Sequence, residues 1–115
     1  MKDWTTIKQR YLQDNVPTRL GGLAANLARI KSFARREENF NVVNSLIEES
    51  KFFIEWTAMA LEITQTVELV DLQREMARWH YNLTMLWANG QKRSALSEQA
   101  GVWSQRVLNI SGLLN

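Results

Sequence analysis

Apolar residues along the chain recur at alternating steps of three and four, which is the period of a helix face, rather than at the steps of two that mark a strand. Four long segments keep this rhythm. The first runs Leu20, Leu23, Leu27, Ile30, Ala34, and the second, with small residues at two places, runs Val43, Leu46, Ser50, Phe53, Thr57, Ala60. The third runs Leu69, Leu72, Met76, Trp79, Leu83, Leu86, and the fourth runs Leu96, Ala100, Trp103, Val107, Ile110, Leu114. A shorter leading helix carries Trp4, Ile7 and Tyr11.

The breaks between these segments carry the residues that start and stop helices. Asp14-Asn15-Val16-Pro17-Thr18 is a turn and helix-start cluster, and Asn39 or Asn41 is placed to cap the second long helix. Asn89-Gly90 is expected to end the third, with glycine in the left-handed conformation that closes a helix. The break near residues 58–65 has neither Gly nor Pro, and is placed there because the heptad register slips and Thr64 offers a cap. Connections this short join antiparallel neighbours, so the expected fold is all-α: a single domain built as an up-and-down four-helix bundle with a short N-terminal helix across it.

The second long helix has more apolar surface than a bundle seam needs, since an arc of about 100° suffices. With Val43 as heptad position a, the e positions are Ile47, Ile54 and Leu61; Val42, Trp56 and Ile63 fall at g, and Phe52 and Met59 at c. Only the f stripe of Glu48, Glu55 and Glu62 is consistently polar. A band of Phe52, Trp56, Met59 and Ile63 left in water is costly, so a cover is expected, either the N-terminal helix or a second chain in a homodimer. Of the five tryptophans, Trp79 and Trp103 fall on core seams, whereas Trp56 and Trp87 sit at flank positions and are expected to reach a partner. Gly21, Ala25, Ala28 and Ser32 form a small-residue stripe expected to let another backbone approach closely.

Composition narrows the chemistry. In 115 residues there is no Cys and one His, which excludes disulfides, thiolate metal sites, Cys nucleophiles and multi-His metal sites. The formal charge of +2 conceals segregation: +6 over residues 1–36, −7 over 37–75 and +3 over 76–115. Charged surfaces are therefore expected to meet each other, within the bundle or between subunits, and the balance argues against nucleic-acid binding. The start of the chain lacks the apolar stretch of a signal peptide, and the longest apolar run, Phe52 to Leu61, is interrupted by Glu55 and too short for a membrane crossing. A cytoplasmic protein with no membrane insertion is expected.

His80 is the sole imidazole, so acid–base chemistry near neutral pH needs it or a perturbed carboxylate. Its spacing from Arg74 resembles the Arg-x4–6-His motif of HEPN-domain ribonucleases, which are all-helical; the resemblance implies an Arg74/His80 ribonuclease as an alternative function. On the Leu69 register, however, the two residues lie about 120° apart. Glu48, Glu49, Glu55, Glu68, Asp71 and Glu75 avoid the core seams and lack the Glu-x-x-His pattern of a di-iron bundle, so neither a metal nor another cofactor is expected. The segments Pro17–Ile30 (PTRLGGLAANLARI) and Glu48–Trp56 (EESKFFIEW) resemble a group of small cyanobacterial all-helical proteins of unknown function. That resemblance implies a cyanobacterial cytosol and no particular activity. The expectation from the residues is a non-enzymatic protein that binds protein, including itself, through Phe52, Trp56, Met59, Ile63 and Trp87, with carriage of a small apolar ligand or pigment as a second alternative.

Overall fold

The computed structural model describes residues 2–114, and these are helical almost throughout, with no strand. Helix α1 spans Trp4–Gln13, α2 Val16–Phe33, α3 Phe40–Thr57, α4 Ile63–Trp87 and α5 Gly90–Ser111. Short 3-10 turns at Glu37–Asn39 and Ala58–Ala60 precede and follow α3. Side-chain oxygens satisfy the orphan N–H groups at three starts. Asp3 accepts from Thr6 N, Asn15 from Thr18 N, and Asn89 from Gln91 N and Lys92 N.

Three boundaries differ from expectation. Asn89 caps α5 and Gly90 is its first residue; the glycine with positive φ is Gly112, at +90°, which closes α5. At the break before α4, Glu62 is the capping residue and Thr64 lies inside the helix, because Gln65 reaches back to accept from Glu62 N at 3.1 Å. Asn39 stands at the start of α3 without capping it, since its amide donates to Phe33 O at 3.1 Å and ties off α2 instead.

The long helices pack in a ring of neighbours. α2 lies against α5 and α3, while α4 lies against α3 and α5. Paired contacts fix direction: on α2 and α5, Ser97 Oγ donates to Lys31 O at 2.6 Å and Ser104 Oγ to Ala24 O at 2.7 Å. Seven residues up one helix match seven down the other, so the two run antiparallel. Gln65 Nε2 to Ile110 O and Arg106 to Glu68 give the same result for α4 and α5.

Close approach of α2 and α5 depends on small residues, but not on the stripe expected from the sequence. Ala25, Ala28 and Ser32 face water, and of the stripe only Gly21 lies in close contact, against the Leu113 side chain beyond the end of α5. The close seam is made by Ala24 on α2 and by Ser97, Ala100, Gly101 and Ser104 on α5; a Cβ built on Gly101 would stand 2.7 Å from Lys31 Cδ. Around it, Leu20, Leu23, Leu27, Ile30, Val43, Ile47, Leu69, Leu72, Met76 and Val107 are almost wholly removed from water. Ile47 and Ile54, expected on a flank of α3, are buried, because α3 has neighbours on three sides: α1, α2 and α4. Among the described residues, no helix is long and apolar enough to cross a membrane.

The seam makes a clear distinction between Ala100 on α5 and Ala25 on α2. Ala100→Leu overpacks the α2–α5 contact and is expected to lower the unfolding free energy by about 1–3 kcal/mol. Ala25→Leu, on the open face, is expected to stay within about 0.5 kcal/mol of the parent in the same urea titration.

Candidate interaction surface

The apolar band expected on α3 divides in two. Phe52 and Trp56 stack on each other with ring centroids 5.4 Å apart, and α1 covers them: Trp4 lies 4.6 Å from Phe52, and Tyr11 5.9 Å from Trp56. Tyr11 also stacks on Phe53 at 4.0 Å and donates its hydroxyl to Arg19 O at 2.8 Å, which pins α1 to the start of α2. Phe52 and Trp56 are thus half-buried inside the chain's own packing. Met59 and Ile63 lie beyond the reach of α1, fully exposed and 83% exposed respectively.

Ile63 is the first member of a longer apolar surface. Val67, Val70, Tyr81 and Met85 follow it along α4, exposed by 60%, 44%, 91% and 58%, with exposed Ala77 between them. At 100° per residue these six side chains fall within an arc of about 80°. The opposite face of α4 carries Leu69, Leu72, Met76, Trp79, Leu83 and Trp87 into the core. α4 is therefore apolar on two faces, and only one is covered. The sequence holds this signal as a second run with steps of three and four, offset from the Leu69 seam; the stronger core pattern masks it.

Trp87, expected to project outward, is buried. Its Nε1 donates to Glu37 O at 2.6 Å, and its ring meets Phe40 edge-on at 5.7 Å. The short 3-10 turn before α3 brings that carbonyl over the end of α4, and a buried indole N–H needs such a partner.

His80 enters an open cleft of about 460 Å³ between α3 and α4, rimmed by Trp4 and Phe52 and lined also by Glu48, Lys51, Glu55 and Gln73. Lys51 Nζ lies 3.3 Å from His80 Nδ1. Gln73 Oε1 is buried without a protein partner. Arg74 is exposed and does not line the cleft. No group of three or more His, Asp or Glu side chains among the described residues is placed to hold a metal ion.

The charge segregation is expressed partly inside the fold. Lys2 meets Glu49 at 3.7 Å, and Arg106 meets Glu68 at 2.7 Å, each joining a basic segment to the acidic middle. Buried Asn26 extends the first link: its amide donates to Glu49 at 3.0 Å while its oxygen accepts from Arg29. Asp71 forms no ion pair in the described structure and stands exposed on α4. The chain matches no protein-family model, and no curated protein or solved structure is similar to it.

Burial raises the Tyr11 pKa from 10.0 to about 12. The folded state thus favours the protonated phenol, and this contribution is fully present below pH 10 and lost as pH rises towards 12. Thermal melts are expected to show a falling midpoint across that window, with a shallower fall in Tyr11→Phe; equal slopes in the two proteins would contradict the burial of this hydroxyl.

Proposed function

We propose that this chain is a non-enzymatic, cytoplasmic helical protein that acts by binding protein. In this reading the four long helices form an up-and-down bundle, α1 clamps its aromatic side, and the outward face of α4 is the contact surface. The antiparallel contacts of α5 with α2 and α4 support the bundle. The observation that carries the function is the exposed stripe from Ile63 to Met85. Isolated apolar residues on a surface are ordinary, but a row of six along one face of a helix, interrupted at Arg74, marks an interaction site.

Ribonuclease chemistry draws less support from the geometry, since His80 turns towards Lys51 in the cleft while Arg74 stands in the exposed stripe. Carriage of an apolar ligand draws less as well: two carboxylates, an ammonium and an imidazole line the same cleft.

A photo-crosslinking amino acid at Val67 is expected to capture protein as a discrete adduct in cells, whereas the same group at exposed Ala25 is expected to capture none. Equal yields at the two positions, or no adduct at Val67, would remove the basis for the reading.

A further inference from the structure

We infer that the occupant of the α4 face is a second copy of this chain, packed antiparallel along α4 about a two-fold axis. The inference rests on the protein-binding reading above and assigns its partner. It is carried by the charge along α4, and the face accommodates it: from Ile63 to Tyr81 the steps between positions are the same in both directions. Ile63, Val67, Val70, Arg74, Ala77 and Tyr81 are spaced by 4, 3, 4, 3 and 4 residues. Reversed, the spacing is unchanged, so an antiparallel copy meets the same row of side chains. In the register centred on residue 72, Ile63 lies opposite Tyr81 of the second copy, Val67 opposite its Ala77 and Val70 opposite its Arg74. The arginine stem covers the valine, and its guanidinium remains at the edge.

Charge selects both the direction and the register. Before residue 72, α4 and its capping residue carry Glu62, Glu68 and Asp71 and no base; after it, Arg74 and Arg78 stand against Glu75 alone. Antiparallel packing sets the acidic half of each helix against the basic half of the other. Side-by-side parallel packing sets like against like. On the flank of the stripe, the same register brings Asp71 beside Arg74 of the second copy, which stands level with residue 70, and the two-fold axis repeats the contact. Asp71 and Arg74 are both exposed and free of ion pairs within the described structure.

Geometry allows the contact to run the length of the molecule. A helix of 25 residues is about 37 Å long, and the longest extent of the chain is 37 Å. A single helix face is small for a specific interface, which places the expected dissociation constant in the micromolar range, so association is read from about 1 to 500 µM.

Sedimentation equilibrium on the full chain tests the assignment. The parent protein is expected to dimerise. Asp71→Arg and Arg74→Asp each place like charges together twice per dimer, and each is expected to weaken self-association about tenfold or more. The Asp71→Arg/Arg74→Asp double variant is expected to recover it. An equimolar mixture of the two single variants is expected to form a heterodimer, because every crossing pair is then complementary. Circular dichroism checks that each variant keeps its helix content, and Val67→Glu gives a second disruption independent of the charges. A monomeric parent over the whole range overturns the inference, as do a dimer indifferent to both charge changes and a mixture that fails to associate. Should crosslinking at Val67 capture a different protein while the parent is monomeric, the second-copy assignment falls and the protein-binding reading stands.

Discussion

The close seam between α2 and α5 is the contact on which the rest of the fold depends. Ser97 and Ser104 are one heptad apart, and each gives its hydroxyl to an α2 carbonyl, that of Lys31 in the last turn of the helix and that of Ala24 in its middle. Such a bond contributes only about 0.5–1.5 kcal/mol net, so its importance is geometric. The hydroxyls reach only if the two backbones are close, and Ala24, Ala100 and Gly101 supply that clearance. One register satisfies both bonds together, and it joins the first long helix to the last. α3 and α4 then pack on each other and close the core, α3 against α2 and α4 against α5.

That arrangement treats the two middle helices differently. α3 is enclosed by α1, α2 and α4, so its wide apolar arc is used up: Ile47 and Ile54 enter the core, and Phe52 and Trp56 receive Trp4 and Tyr11 as a lid. Among the described residues, the long helices packed closely against α4 are α3 and α5, yet it carries an apolar row on its far side. α1 cannot serve both helices, because Tyr11 is held to Arg19 and stacked on Phe53. The uncovered row on α4 follows from the position of α1, and it gives the protein-binding proposal its location.

Helices and most core positions were legible in the sequence because burial imposes a period, and Leu20, Leu27, Leu72, Met76 and Trp103 stand where that period places them. Partner choice was less legible. The stripe of Gly21, Ala25, Ala28 and Ser32 looks like a packing surface in one dimension, but small residues mark close approach only when another helix lies beside them, and here it meets Ala24's side of α2. Trp87 lay outside the expected seam yet is buried, since its indole N–H finds Glu37 O across 50 residues of sequence. Thr64, beside the slip in register, and Gly90 have residue types suited to helix ends, but the neighbouring Glu62–Gln65 pair and the Asn89 side chain satisfy more backbone groups. Of the expected contact residues, Met59 and Ile63 remain on the surface; the rest of the α4 row was present as a second, weaker period.

Because the chain contains no cysteine, a single Thr64→Cys change provides a unique attachment point for a spin label on exposed α4 surface. The distance between labels in the associated protein tests the central claim most directly. Antiparallel pairing centred on residue 72 predicts a label separation of about 25 Å, from sixteen residues of helical rise and one interhelical spacing. A separation near 10 Å, or no defined distance at concentrations where the protein should be paired, would contradict the account.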